Sequence, residues 1–564
     1  MSQVDERTPL VSGAHGAGKT AQSCSSDSAL GDQSRPQNPS ENHQPPPRPF
    51  YVILTTCLSL WCITLIVSLD TTVVAMLIGN ISSTFREAEK ASWIGSTYLL
   101  TACCTAPVYG RLCDIIGGKR ALNIALTLFA IGTVGCGAAR NMTEFLAARS
   151  LAGMGGGGLN TVGSVIISHL VPLHSRGVYQ GFTNIVYGLG IGIGGPIGGI
   201  LNDIVGWRAV FYFQVPIIAV ALFALLVFVG NEDTHNHEDP RSFWRRMEDI
   251  DFLGLVVITM APLSLHYALD LVSIQDVPLS DWRIMASAAV FALSLICFYF
   301  VERFVAHIPL ISFEVLGIRS CWSTLWTNFW EGIAIFGYNF NFPLFFQVVG
   351  KLPPSVIGER LIPASCTLSL GSLFAGFYMR KTGYYYWYMV TCLVIATLAS
   401  GRSVLFGSHP PLISPFVYNV VLTFTQAGVI TATLIALINN VERRKIGIVT
   451  GMNYFFRANG QVLGVALSGG ILQVSLLRTL CWRIVGPQAE ELISKIRHEA
   501  TSIPTLPGPF QDAAIESYAI ALSNVFLFIC ACNFLALLNA MRIENKRLPM
   551  PSDQSRAPAD EESN

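Results

Sequence analysis

Apolar stretches long enough to cross a bilayer recur from Tyr51 almost to the end of the chain. A helix needs about 20 apolar residues to cross a hydrocarbon core of about 30 Å. We count fourteen such stretches, so the pattern predicts an all-α polytopic membrane protein with fourteen transmembrane helices. The stretches cover residues 51–79, 92–110, 121–139, 143–171, 178–201, 208–230, 252–272, 284–304, 321–349, 356–378, 385–405, 413–438, 447–476 and 516–541.

The composition agrees with a chain that faces lipid. Of its 564 residues, 51% are hydrophobic and only 13% are charged, whereas soluble domains are roughly 25% charged. The 36 basic and 36 acidic side chains cancel, so we expect no nucleic-acid partner. Most of the 14 cysteines lie in apolar runs without metal-ligand spacing. We interpret them as small buried hydrophobic residues and expect no metal.

Basic residues predict the orientation of the chain, because short cytoplasmic loops collect Lys and Arg. Every second predicted loop is basic, which places both termini in the cytoplasm. Two glycosylation sequons, at Asn80 and Asn141, fall in loops predicted to lie outside. The basic positions are Arg111, Lys119, Arg120, Arg176, Arg241, Arg245, Arg246, Arg303, Arg319, Arg380, Lys381, Arg443, Arg444, Lys445, Arg542, Lys546 and Arg547.

The two ends of the chain lack the apolar residues needed to fold. Residues 1–50 and 542–564 are therefore predicted to be disordered cytoplasmic tails, and we expect no cleavable signal peptide before the first helix. Residues Gly13 to Thr20 fit a phosphate-binding P-loop letter for letter. A phosphate cradle needs a preceding strand and a following helix, and neither is predicted here. We judge the match coincidental and expect no cofactor.

The loop after the second stretch carries glycines and an acid among bases, at Gly110, Asp114, Gly117, Lys119 and Arg120. This loop resembles the signature loop of the major facilitator superfamily. The resemblance implies that Asp114 caps or pairs with a helix of the other half of the molecule. It also implies that Lys119 and Arg120 hold the cytoplasmic face.

The same glycine spacing recurs at Gly376 and Gly383, where Arg380 takes the place of the acid. Such a recurrence is the expected trace of an internal duplication. It predicts two six-helix bundles and an inserted helix pair, an arrangement that resembles the fourteen-helix drug:proton antiporter branch of the superfamily. The predicted regions are a bundle over 51–230, a linker with helices 7 and 8 over 231–310, and a bundle over 321–541 with a non-cytoplasmic loop at 477–515.

Two further stretches resemble motifs of that branch. Arg149, followed by small residues that allow close helix packing, matches a motif whose arginine is linked to proton transfer. The glycine-rich fifth stretch resembles the motif common among antiporters and predicts a bendable face between the halves. Its conformational residues are Gly194, Gly195, Pro196 and Gly199.

Six polar side chains inside predicted helices are candidates for binding a proton or the substrate, namely Asp70, Glu331, Arg149, Arg457, Asn328 and Asn341. Asp70 lies in a stretch that resembles the family's L-D-x-T-[IV]-V sequence. Because a carboxylate at the bilayer centre costs ~2.5 to 3.5 kcal/mol, Asp70 is the first candidate for a proton or a cationic group. The alternative is a structural pair with a nearby Arg or Ser. Glu331 is the second candidate acid, and Asn328 and Asn341 are expected to line a polar cavity near it.

Arg457 either binds an anionic group or pairs with an acid, and it lies in a stretch that matches the family. The span from Arg149 to Pro216 looks like fungal vacuolar basic amino-acid transporters and related plasma-membrane exporters of toxins and drugs. A pattern resembling a sorting signal, from Glu6 to Val11, favours the vacuole.

These features together predict a proton-coupled antiporter that works as a monomer. It would move small organic solutes such as basic amino acids out of the cytosol into the vacuole. A plasma-membrane drug or toxin efflux pump is the alternative, and a non-transporting nutrient sensor is a further one. No set of converging nucleophiles or metal ligands points to an enzyme.

Overall fold

The computed structural model describes residues 49–87, 90–230, 251–273, 277, 280–305, 311–352, 354–407, 413–442, 445–484, 489–498, 503 and 507–549. The P-loop-like segment, the sorting pattern, most of both tails, and Arg241, Arg245, Arg246, Arg443 and Arg444 lie outside these ranges. The helices are α1 (Phe50–Phe85), α2 (Ala91–Ile116), α3 (Gly118–Ala138), α4 (Met142–Leu170), α5 (Leu173–Val205), α6 (Trp207–Phe228), α7 (Phe252–Ser273), α8 (Trp282–Phe300), α9 (Phe313–Gly317), α10 (Arg319–Val348), α11 (Pro354–Thr382), α12 (Tyr386–Ser403), α13 (Ser414–Asn439), α14 (Ile446–Arg483), α15 (Ala489–His498) and α16 (Gly508–Ala540).

The described part of the chain is helical wherever it has regular structure, as the sequence predicts. Each of the fourteen predicted stretches overlaps one long helix. Within the described ranges, ten of these helices are long and apolar enough to cross a membrane. The other four are α4, α7, α10 and α12. Fourteen membrane crossings therefore stay a prediction.

Several helices are longer than their apolar stretches, and some predicted boundaries are wrong. Helix α1 runs six residues past its predicted end at residue 79, and α5 begins at Leu173 instead of 178. The predicted loop at 477–515 is shorter, because α14 continues to Arg483 and α16 already begins at Gly508. Hydropathy marks only the part of a helix that lies in hydrocarbon, whereas the helical hydrogen bonds continue into the interface.

The two sequon asparagines are both held by local structure. Asn80 lies in the last turns of α1, not in a loop, and its amide donates to Asn202 Oδ1 at 2.8 Å. The predicted loop position of Asn80 is therefore wrong. Asn141 caps the start of α4, where its side chain accepts a hydrogen bond from the backbone N–H of Glu144 at 2.8 Å. Glycosylation itself stays a prediction.

The order of helix packing in the first part of the chain is repeated in the last part. Helix α1 packs on α5 and α6, α2 packs on α4, and α3 packs on α4 and α6. In the same way α10 packs on α14 and α16, α11 on α13, and α12 on α13 and α16. This repetition supports the predicted duplication into two helix sets, α1–α6 and α10–α16. Helix α7 packs on α8, α2 and α14.

The two helix sets meet along α2–α14 and α5–α11, and glycines form both contacts. The backbone of Gly110 lies directly against Gly447 and Gly451, and that of Gly376 lies against Gly177. A Cβ atom at Gly110 or Gly376 would collide with backbone atoms of the other set. The recurring glycines of the sequence therefore perform the same task twice.

The second glycine of each motif, Gly117 in the first and Gly383 in the second, has the same role in both copies. Gly117, which separates α2 from α3, has a φ of 87°, and Gly383, which follows α11, has a φ of 75°. Other residues adopt this left-handed region at a cost, so glycine fits both turns. The contacts of Gly110 and Gly376 lie near these turns, at what we call the α2–α3 end of the molecule.

We expect Gly376→Val to separate α5 from α11 and to lower transport by about ten-fold or more. The added side chain has no room against Gly177, and its neighbours there are backbone atoms that cannot rotate away. Solute uptake into proteoliposomes, at equal amounts of reconstituted protein, measures the effect.

Gly358→Val is the matched control, since Gly358 lies on the same helix and no atom is within 4 Å of its Cβ position. Unchanged uptake by Gly376→Val would contradict the role of this contact.

Candidate functional site

Asp70 and Arg149 form an ion pair inside the first helix set. Asp70 lies on α1 and Arg149 on α4, and Arg149 Nη1 is 2.8 Å from Asp70 Oδ2. The side chains are 0% and 2% exposed. Asp70 Oδ1 and Arg149 Nε have no hydrogen-bond partner among the described residues. In the structure Asp70 thus pairs with an arginine, which is one of the two alternatives that the sequence left open.

Small residues on α4 bring Arg149 to this position. Gly153 and Gly157 lie against the backbone of α2, and Gly155 lies against that of α3 at Phe129. Close approach of this kind replaces the hydrophobic force that is missing between helices in lipid. Helix α4 is thereby seated between α2 and α3, with its arginine directed toward α1.

Tyr98 of α2 completes the surroundings of the pair, and the sequence offered no signal for it. The guanidinium carbon of Arg149 lies 4.6 Å from the centre of the Tyr98 ring. A cation over an aromatic face gains about 2 kcal/mol or more when both are desolvated. Cys136 of α3 and Tyr187 of α5 are the other titratable side chains in electrostatic range of this group.

Glu331 is buried in the second helix set, on α10, and is 1% exposed. Neither of its carboxylate oxygens has a hydrogen-bond partner in the described ranges, and no ion pair joins it to a described basic residue within 4 Å. An ionised carboxylate buried without a cation is costly, and a bound proton removes that cost. In these surroundings the neutral, protonated form of Glu331 is favoured over the ionised form.

The two asparagines near Glu331 do not line a cavity, so that expectation is wrong. Both are fully packed, at 1% and 0% exposed, and both join helices. Thr433 of α13 donates to Asn328 Oδ1 at 3.0 Å, and Asn341 Nδ2 donates to Ser468 Oγ of α14 at 2.9 Å. In a membrane interior a buried amide is stabilised by a partner on a neighbouring helix.

Arg457 lies on α14, half-buried, with its guanidinium carbon 4.5 Å from the ring centre of Tyr454. No carboxylate of the described residues lies within 4 Å of Arg457. The structure therefore does not show pairing with an acid, which is one of its two alternatives.

Asp114 lies where the resemblance implies, at a helix of the other set. Its carboxylate is adjacent to Gly447, in the first turn of α14. A negative charge at a helix N-terminus is favourable because unpaired backbone N–H groups give that end a positive potential. Lys119 donates to the backbone oxygen of Leu226 on α6 at 2.9 Å, and Arg120 is exposed.

The beginning of the glycine-rich part of α5 lies against the other half, where the Cβ position of Gly188 is 2.8 Å from Ser369 Oγ of α11, but the residues further along the helix do not extend this face. Gly194 packs against Leu69 and Thr72 of α1, within the same helix set. Gly195 and Gly199 have no atom within 4 Å of a Cβ position, and Pro196 is exposed inside the helix. The contact with the second set lies nearer the start of α5, because Gly177 and Gly181 pack against α11.

The family profile described as Major Facilitator Superfamily matches residues 60–465, which is most of the chain. The chain belongs to the Major Facilitator Superfamily. This membership confirms the predicted family and makes the chain a transporter of small solutes embedded in a membrane.

Curated relatives in the Major Facilitator Superfamily agree. The chain is 33% identical to the multidrug resistance protein fnx1 of Schizosaccharomyces pombe, over 88% of this chain and 93% of that one. It is 32% identical to the vacuolar membrane amino acid uptake transporter fnx2 of the same yeast, over 85% and 82%. It is also 32% identical to vacuolar basic amino acid transporter 1 of Saccharomyces cerevisiae, over 73% and 76%. These relatives are transporters, which agrees with the expectation of no enzymatic activity.

A solved member of the superfamily has the same fold. It is the proton:xylose symporter XylE bound to 6-bromo-6-deoxy-D-glucose, which matches with a TM-score of 0.52 at 13% identity, over 88% of this chain and 97% of that one.

We expect Asp70→Asn to destabilise the protein by about 3–5 kcal/mol, because it leaves Arg149 as an uncompensated buried cation. The double change Asp70→Asn with Arg149→Gln removes both charges and should recover much of that loss. Thermal unfolding of the purified protein in detergent measures both effects.

Glu87→Gln is the control, because Glu87 pairs with Lys90 at the surface at 2.5 Å and such pairs contribute about 0–1 kcal/mol. An equal, small effect of both changes would mean that the buried pair does not stabilise the fold.

Proposed function

We propose that this protein is a proton-coupled antiporter that moves small organic solutes out of the cytosol. The solutes we favour are basic amino acids, and the membrane we favour is that of the vacuole. The names of two relatives, a vacuolar amino acid uptake transporter and a vacuolar basic amino acid transporter, support this choice. The protein would act as a monomer with fourteen crossings, both termini in the cytoplasm, and no cofactor.

The buried Asp70–Arg149 pair is the observation that carries the proposal. One carboxylate in a dry site can hold Arg149, a proton or a cationic solute, but it cannot neutralise two cations at once. Protonation of Asp70 therefore competes with a cationic solute, which is the requirement for exchange. Glu331, buried without a cation in the second helix set, provides a second position for a proton.

In the proposed mechanism of alternating access, the contacts that the two sets make at one end would have to open. The glycine contacts of Gly110 and Gly376 close the α2–α3 end in the structure, which we place at the cytoplasm because of its basic loops. Rocking of the sets about a central site would open this end and close the other.

A plasma-membrane drug efflux pump is the second candidate. The similarity to the multidrug resistance protein fnx1 over 88% of the chain favours it, and the mechanism of exchange would be the same. Localisation of the tagged protein separates the two candidates. A nutrient sensor would share the fold but would move no solute.

We expect purified protein in liposomes that are acidic inside to accumulate labelled L-lysine or L-arginine. Asp70→Asn and Glu331→Gln should each lower this proton-driven uptake by about ten-fold or more, because each removes a titratable carboxyl group. The initial rate of uptake under an imposed pH gradient is the measurement.

Glu359→Gln is the control, because Glu359 is an exposed acid on α11. Accumulation only in liposomes that are acidic outside would indicate symport. Absence of any solute movement would favour the sensor, and full activity of both variants would remove the assigned roles of these acids.

A further inference from the structure

Arg176 is a buried cation without a counter-ion in the described part of the chain. The sequence places it in a cytoplasmic loop, but it lies in the first turn of α5 and is 1% exposed. Its position differs because α5 begins at Leu173, directly after Pro172, which has the backbone geometry of a helix start. Nη2 of Arg176 donates to the backbone oxygen and to Oγ of Ser164 on α4, both at 3.3 Å.

The rest of this guanidinium has no acceptor in the part of the chain that the structure describes. Nε and Nη1 of Arg176 have no hydrogen-bond partner among the described residues, and no described carboxylate lies within 4 Å. A guanidinium out of water is tolerated at low cost only when an anion compensates it. Two unused N–H directions in a buried arginine therefore indicate an anion that the described chain does not supply.

Tyr454 is in range of both Arg176 and a second cation, Arg457. Tyr454, whose ring lies under the Arg457 guanidinium at 4.5 Å, is also in electrostatic range of Arg176. Tyr187 of α5 is likewise in electrostatic range of Arg457. Helix α5 packs on α1 and α11, whereas α14 packs on α10 and α2. The group formed by Arg176, Tyr454 and Arg457 therefore spans the space between the two helix sets.

The buried acids of the molecule do not balance these charges. Asp70 is occupied by Arg149 at 2.8 Å, and no ion pair within 4 Å joins Glu331 to either arginine. Neither Arg176 nor Arg457 therefore has a described carboxylate within 4 Å. Arginine binds carboxylates with two parallel hydrogen bonds, which makes it well suited to a carboxylate ligand.

We propose that Arg457, with Arg176 behind Tyr454, binds the α-carboxylate of a basic amino acid cargo. The inference rests on the proposed transport function and makes it more specific, because simple organic cations lack this group. In the structure Arg457 is half-buried and would make the first contact with the carboxylate. Arg176 becomes accessible to the carboxylate when the sets separate at the α2–α3 end.

The test compares amino acids with their decarboxylated analogues on the purified full-length protein. Binding of radiolabelled L-arginine is challenged with unlabelled L-arginine or agmatine, and binding of L-lysine is challenged with L-lysine or cadaverine. We expect each decarboxylated analogue to bind about ten-fold or more weakly, since it lacks one charge-assisted contact. Equal affinity within both pairs, or no binding of either amino acid, would overturn the inference.

Variants test whether Arg457 and Arg176 cause the preference for L-arginine over agmatine. Arg457→Gln should weaken L-arginine binding to the level of agmatine and leave agmatine binding unchanged, and Arg457→Lys should lie between. Arg176→Gln should lower the affinity for L-arginine in the same direction. Arg402→Gln is the matched control, because Arg402 is also half-buried with its guanidinium carbon 5.6 Å from a tyrosine ring centre, that of Tyr418. Retained preference for L-arginine in Arg457→Gln would contradict the assignment.

The result is separable from the fate of the proposed function. If agmatine is taken up under a pH gradient as fast as L-arginine, and Asp70→Asn stops both, antiport stands and the carboxylate site falls. If L-arginine binds with the expected preference but no pH gradient drives its uptake, the carboxylate site stands and proton coupling falls.

Discussion

Backbone contact at glycine is the constraint on which the arrangement of the two helix sets depends. In lipid there is no hydrophobic force to press helices together, so close packing and polar contacts must do so. Gly110 and Gly376 supply such contact between the sets, and the glycines of α4 and α5 supply it within the first set. The position of Arg149 in the interior follows from the contacts of the α4 glycines. A methyl group at Gly153 would displace α4, and with it Arg149.

The interior charges are few, and each lies in a different electrostatic environment. Asp70 and Arg149 neutralise each other, Asp114 lies at a helix N-terminus, and Glu331 and Arg176 are buried without an opposite charge in the described residues. A proton on Glu331 and an anion beside Arg176 would lower the cost of burying these two groups.

The helices and the recurring glycines could be predicted from the sequence, because hydropathy and residue spacing are local properties. The direction of each side chain could not. A membrane helix is apolar on most sides, so its sequence does not indicate which face meets protein and which meets lipid. For this reason Asn328 and Asn341 were expected in a cavity but join helices, and Arg176 was expected in a loop but is buried. The pairing of Asp70 with Arg149 was one of two alternatives, and only the placement of α4 decides between them.

The position of α7 makes the exterior of the molecule less symmetric than its interior. Helix α7 lies against both α2 and α14 and carries α8 on its other side. Widening the seam between α2 and α14 must therefore displace a protein helix as well as lipid. Among the described residues, helices α7 and α8 make no comparable contact with α5 or α11. Separation of the two sets along α2 and α14 would also displace α7, whereas separation along α5 and α11 would not require this.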